Sequence, residues 1–325
     1  MKVSTATLML ALLFSALVGT LPFGTVQAVT IWSQTYGTPA IEYAYSLIAT
    51  SDGGYAITGV TEFGNSGGDF WLVKIDALGN MEWNQTYGGT GYDIGSSVTN
   101  TTDGGYIILG TTDSFGAGGK DLWLVKINEH GNMQWNMTYG GTGDDGASSL
   151  VETSDGGYAM AGAWNYSIGP LTSFSDAWLI KTNASGDVEW NQTYGGANIV
   201  GPTSLVETAD GGYAMAGYTY STSGGWDLWL AKTDALGDME WNQTYGGEDW
   251  EEARSLVATP DGGYALAGGT YYWDGFNNPD FLVVKTDEYG DAPVIPEASW
   301  VILPLLLAAT VSIFISKKKL LNNRS

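Results

Sequence analysis

Two short stretches, Trp83-Asn84-Gln85-Thr86-Tyr87-Gly88 and Asp103-Gly104-Gly105-Tyr106, decide how this chain folds, because both recur in phase along it. Asp-Gly-Gly-Tyr begins at Asp52, Asp103, Asp155, Asp210 and Asp261. Trp followed three residues later by Thr-Tyr-Gly begins at Trp32, Trp83, Trp135, Trp190 and Trp241. Both series advance by 51, 52, 55 and 51 residues, so a single structural unit repeats.

Each unit reads as four strands. In the first, strand A covers residues 46–50, strand B 55–61, strand C 69–75 and strand D 81–87. Ser51-Asp-Gly-Gly54 turns A into B, and Asp76-Ala-Leu-Gly-Asn80 turns C into D. Asp caps its own turn, and Gly takes the positive-φ position. Four antiparallel strands in about 50 residues form a propeller blade, so the chain is expected to be an all-β, five-bladed β-propeller over residues 29–291.

The ends of the array set the expected closure. Residues 30–36, Thr-Ile-Trp-Ser-Gln-Thr-Tyr, are a strand D with no blade before them. The last unit stops at Ala292-Pro293, where its own strand D should begin. Pairing the N-terminal strand with the last blade repairs both defects and removes an exposed edge. Burying Trp32, about 200 Å² at about 25 cal/mol per Å², is worth at most about 5 kcal/mol.

Composition and charge narrow the partners. The 325 residues include no cysteine, which excludes disulfides, thiol catalysis and thiolate metal sites. Residues 29–298 hold all 35 acids and seven of the 12 bases, a net charge of −28. Such a field argues against a nucleic-acid partner. Residues 1–28, with Lys2 ahead of an apolar run and Val26-Gln27-Ala28 at the cleavage spacing, read as a secretory signal peptide. Residues 299–316 are uncharged and mostly apolar, about 27 Å of helix, which is long enough to span a bilayer. Lys317-Lys318-Lys319 opens the basic tail 317–325, and by the positive-inside rule it stays cytoplasmic. Residues 292–298 form the linker.

With these motifs in view, the double glycine followed by Tyr and a later Trp resembles kelch repeats. It is closer still to the Asp-Gly-Gly-Tyr propeller repeats of archaeal and bacterial surface proteins, over residues 31 to about 291. Residues 294–300, Val-Ile-Pro-Glu-Ala-Ser-Trp, resemble the Pro-Glu sorting signals of the PEF-CTERM type, with Ala298 where that family has Phe. The resemblance implies a cell-surface location and an anchored or processed tail.

Residues repeated in every blade are expected to serve the blade. These are the strand-A serines and threonines, Asp69, Asp121, Asp176, Asp227 and Asp280 opening strand C, and Lys74, Lys126, Lys181, Lys232 and Lys285. The lysines are expected to pair with acids of the neighbouring blade. Function is expected on the rim of variable loops. The candidate ligand-binding residues are Trp164, Tyr166, Tyr218, Tyr220, Trp226, Trp250, Tyr271, Tyr272 and Trp273, because flat rings stack on sugars or bury in protein partners. The candidate Ca²⁺ ligands are Asp93, Asp144, Asp145, Asp249, Glu251 and Glu252, since Ca²⁺ gathers carboxylate oxygens. Asn165 is the candidate glycosylation site among the Asn-X-Ser/Thr triplets.

These features point to an extracellular, membrane-anchored module that binds a glycan or protein and is not an enzyme. The alternatives are a structural surface component and a glycoside-processing enzyme. The latter would use Glu152 and Glu207, equivalent strand-A acids of adjacent blades. His130, the sole histidine, lies in a C–D turn away from either set.

Overall fold

A computed structural model describes residues 31–62, 67–168, 173–195, 200–220, 225–247, 249–271 and 279–293. The chain divides into two units, residues 1–34 and 35–325. Residues 31–34 of the first unit are in neither helix nor strand. The signal peptide 1–28 and the span 299–316 lie outside the described residues. Among the described residues no helix is long and apolar enough to cross a membrane.

The second unit is all-β and propeller-like. Its described residues form nineteen strands in five antiparallel sheets. Sheet 1 is β1 (Ile41–Ala49), β2 (Tyr55–Glu62), β3 (Gly68–Ile75) and β4 (Met81–Tyr87). Sheet 2 is β5 (Asp93–Asn100), β6 (Tyr106–Thr112), β7 (Asp121–Ile127) and β8 (Met133–Tyr139). Sheet 3 is β9 (Asp144–Glu152), β10 (Tyr158–Ile168), β11 (Ser173–Thr182) and β12 (Val188–Tyr194). Sheet 4 is β13 (Val200–Glu207), β14 (Tyr213–Tyr220), β15 (Trp226–Thr233) and β16 (Met239–Tyr245). Sheet 5 has three strands, β17 (Trp250–Ala258), β18 (Tyr264–Tyr271) and β19 (Pro279–Thr286). Strand order follows sequence order in every sheet, as hairpin turns of this length require.

The turns form for the reasons their residues state. Asp52 Oδ1 accepts from the Gly54 N–H (3.0 Å) and the Thr50 hydroxyl (2.5 Å), and Gly53 takes φ 85°. The same bonds recur at Asp103, Asp155, Asp210 and Asp261. Strand A is longer than the sequence suggests, because it continues outward past a bulge between Ala44 and Ser46. Just beyond the equivalent bulge in sheet 2, strand B carries Gly110. A Cβ there would lie 2.0 Å from the Ile94 carbonyl oxygen and 2.3 Å from the Phe70 ring. Gly110→Ala is therefore expected to destabilise the chain by about 1–3 kcal/mol or more, read as a lower denaturant midpoint at unchanged slope.

Consecutive sheets pack face to face. Phe70 and Leu72 of sheet 1 are buried with Ile108, Trp123 and Val125 of sheet 2. Equivalent cores join sheets 2 and 3, 3 and 4, and 4 and 5. Each strand-D tyrosine fastens the next sheet by donating to the carbonyl of its C–D turn glycine. The pairs are Tyr87 to Gly131 (2.7 Å), Tyr139 to Gly186 (2.7 Å), Tyr194 to Gly237 (2.7 Å) and Tyr245 to Gly290 (2.5 Å). Burial pushes these phenols well above the ordinary tyrosine range, so they remain donors.

The array ends differ from the expectation. Tyr36 donates to the Gly79 carbonyl (2.7 Å), so it fastens sheet 1 as a preceding strand D would. Yet residues 31–38 form no ladder, and sheet 5 lacks a fourth strand among the described residues. The side-chain anchor and the strand ladder are separate bonds, and only the anchor is formed. Phe281 and Val283 on β19 are consequently exposed, Val283 at 70%. Tyr43, Tyr45 and Leu47 on β1 are exposed as well, each at more than half.

Candidate functional site

Five of the nine candidate aromatic residues meet at the junction of sheets 4 and 5. Register sets Tyr220 opposite Trp226 on β14 and β15, and Trp250 opposite Tyr271 on β17 and β18. Trp226 stacks on Trp250 with centroids 5.9 Å apart and planes 26° apart. Tyr218 and Tyr220 each meet Trp226 edge-on at 5.2 Å, and Tyr271 flanks Trp250 at 5.5 Å. Tyr220 and Trp250 remain more than 40% exposed. Beside them the Tyr271 hydroxyl donates to Glu252 Oε1 (2.8 Å), and Arg254 Nε donates to the same oxygen (2.9 Å). The cluster therefore offers flat apolar faces with a guanidinium and a carboxylate at one side. A sugar ring needs this combination, having an apolar C–H face and polar edges.

The other aromatic candidates divide. Trp164 packs edge-on against Trp178 at 4.5 Å and belongs with the core between sheets 2 and 3. Its ring is partly buried there. Tyr166 and Asn165 lie in β10, with their side chains outside the described residues. Tyr272 and Trp273 lie outside the described residues altogether.

The acidic candidates also separate. Asp93, Asp145 and Glu251 are buried at equivalent places. Each accepts a main-chain N–H from the residue four before it: Gly89 at 2.8 Å, Gly141 at 2.9 Å and Gly247 at 3.3 Å. Asp144 accepts from the Lys120 N–H (3.0 Å) and is exposed. Glu252 is held by Arg254 and Tyr271, and Asp249 lies near Glu251. Among the described residues no group of three or more His, Asp or Glu side chains gathers as a metal cluster.

Glu152 and Glu207 have structural partners. Glu152 Oε1 accepts from Thr102 N–H (3.0 Å) and hydroxyl (3.1 Å), on the A–B turn of the preceding sheet. Glu207 accepts from Ser154 N–H (2.9 Å) and hydroxyl (2.8 Å) in the same way. Strand A runs beside the preceding sheet's turn, and the glutamates cap it.

The lysine ring corrects the sequence reading. Each buried lysine pairs within its own sheet, not with the neighbour. Lys74 reaches Asp52 (2.7 Å) and Glu82 (2.6 Å), Lys181 reaches Asp155 and Glu189 (both 2.8 Å), and Lys126 reaches Asp103 (2.8 Å). Strand C lies between the A–B turn and strand D, so both acids are nearer than any in the next sheet. Burial opposes ionisation of Asp103 and Asp155. Hydrogen bonds from Lys126 and Lys181, the turn threonines and a glycine N–H outweigh it and hold both carboxyls at about 2. A depressed folded value gives stability that is complete above the unfolded value, about 4, and lost as pH falls through the folded one. Acid unfolding is therefore expected to steepen between about pH 4 and about pH 2. Asp155→Asn should flatten that slope when stability is followed by circular dichroism.

The sequon asparagines Asn84, Asn136 and Asn191 sit exposed on the outermost strands. Their Oδ1 atoms accept from the indoles of Trp71, Trp123 and Trp178 at 3.0–3.2 Å, which explains why Asn repeats there.

No family model matches the chain. Over 245 residues it is 25% identical to the regulatory protein FlaEY of Caulobacter vibrioides, covering 64% of this chain and 25% of that protein. The chain thus spans about a quarter of that relative's length. Among solved structures, a thermostable family-43 glycoside hydrolase aligns at 13% identity and a TM-score of 0.45, over 81% of this chain and 96% of that one. Synechocystis apocarotenoid oxygenase aligns at 12% identity and 0.48, over 79% and 62%.

Proposed function

We propose that this chain is a surface-displayed binding module that holds a glycan on the aromatic cluster between sheets 4 and 5. The observation that carries the reading is the Trp226–Trp250 stack, with Trp250 and the flanking Tyr220 exposed, Tyr271 at its other side, and Arg254 and Glu252 at its edge. Exposed rings held rigidly across two sheets lose little side-chain freedom on binding, which favours them as anchors. Residues 1–28 would direct export, and 299–316 would anchor the array outside the membrane.

The binding form is a closed five-bladed propeller. In that form residues 31–36 would pair with β19 and complete sheet 5, and the apolar face of β1 would meet that of the last sheet. The exposed Phe281, Val283, Tyr43, Tyr45 and Leu47 support this, since the corresponding faces at the other four junctions are covered. A glycan array probed with the full-length chain tests the function. Retention on a defined set of glycans is expected, and retention on none of them contradicts the reading.

A further inference from the structure

At three of the four sheet junctions, two carboxyl groups from neighbouring sheets converge on one backbone point. The strand-C aspartate of one sheet, Asp69, Asp121 or Asp227, meets the strand-A acid of the next, Asp93, Asp145 or Glu251. The meeting point is the glycine that follows each strand-D tyrosine. A Cβ on Gly88 would lie 2.0 Å from Asp69 Oδ1 and 2.9 Å from Asp93 Oδ2. On Gly140 it would lie 1.7 Å from Asp121 Oδ1 and 2.7 Å from Asp145 Oδ2. On Gly246 it would lie 2.2 Å from Asp227 Oδ1 and 2.6 Å from Glu251 Oε2.

Five of these six acids are at least nine-tenths buried. The second acid of each pair accepts a main-chain N–H, and Asp93 and Glu251 also accept hydroxyls, from Thr112 and Ser114 and from Thr270. Asp121 uses Oδ2 to accept the Ala117 N–H (2.7 Å), but its Oδ1, aimed at Asp145, has no hydrogen-bond partner. A buried, undonated carboxylate oxygen facing a second carboxylate is costly on two counts, desolvation and like charge. Burial and the facing acid push Asp69 and Asp121 above the ordinary carboxyl range, the direction such crowding dictates.

The remaining junction is an internal comparison. Val200 stands opposite Thr219, the register position that Asp93 holds opposite Thr112 and Glu251 holds opposite Thr270. Asp176 there faces no second acid from that position, and Val200 joins the apolar core.

We propose that the pair Asp121–Asp145 is a cation site that binds one Ca²⁺ and ties sheet 2 to sheet 3. Hard carboxylate oxygens from two strands suit Ca²⁺. With two carboxylates per site the affinity belongs near the weak end, about 10⁻⁴–10⁻³ M.

The test is calorimetric titration of the full-length chain with Ca²⁺ after chelator treatment, paired with thermal unfolding. At least one equivalent is expected, with a rise in unfolding temperature. Asp121→Asn, which keeps the shape and removes a charge, should lose one equivalent, and Asp145→Asn should lose the same one. The two variants guard against either failing to fold, which far-UV circular dichroism reports. Absence of Ca²⁺ binding up to millimolar concentration in the unaltered chain overturns the proposal, as does an unchanged stoichiometry in both folded variants. Glycan retention does not enter this readout, so the proposal stands or falls separately from the function proposed above.

Discussion

Deleting residues 31–37 is expected to lower the stability of the propeller by about 3–5 kcal/mol and to make it prone to association. Two terms give this size. The Tyr36 hydroxyl bond to Gly79 contributes about 1 kcal/mol, as a net hydrogen bond does. The remainder is the apolar area of Trp32 and of the β19 face that the proposed pairing would cover, at about 25 cal/mol per Å². Without that strand, Phe281 and Val283 stay in water on an unpaired edge, the arrangement that invites edge-to-edge pairing. Denaturant unfolding and sedimentation of the deleted and intact chains give the comparison. A stability loss below about 1 kcal/mol with no association would remove the segment's role in closure.

The second large effect is expected at the aromatic cluster. Trp250→Ala should weaken glycan binding by tenfold or more, and the Trp226→Ala/Trp250→Ala double variant should abolish it in practice. Truncating a central aromatic anchor costs about 2 kcal/mol or more. Stacking against Trp226 makes the two substitutions non-additive, because each ring holds the other. Trp164→Ala is the control. Its ring packs on Trp178 in another junction, so stability should fall while glycan affinity of the folded fraction stays unchanged. Equal loss of affinity in both variants would move the site away from sheets 4 and 5.

The repeat makes the sheets legible in the sequence itself. Turn aspartates, positive-φ glycines and alternating strands all act within a few residues, and each appears where its chemistry places it. The inter-sheet terms were not legible in the same way. Trp164 and Trp250 look alike in sequence, yet one packs partly buried on the core between sheets 2 and 3 and the other stays exposed, a difference set by which faces the fold brings together. The lysine partners were misassigned because the order of strands across a sheet, and not spacing along the chain, sets which acid is near. The acid pairs were half visible. Asp93, Asp145 and Glu251 stood out as loop acids, whereas Asp69, Asp121 and Asp227 were hidden by their own regularity. The repeated Tyr-Gly step was the available signal, since a glycine that never becomes alanine marks a close approach.

The account depends most on the closed circle of five blades, and a chain without cysteine allows a clean test of it. In sheet 1, Gln85 of strand D lies opposite Leu72 of strand C. Gln34 and Val283 hold those repeat positions at the proposed closure. Gln34→Cys combined with Val283→Cys should form an intramolecular disulfide in near-quantitative yield on mild oxidation, since opposed strand residues lie within bridging distance. Free thiols after oxidation, or bonds formed only between chains, would contradict closure.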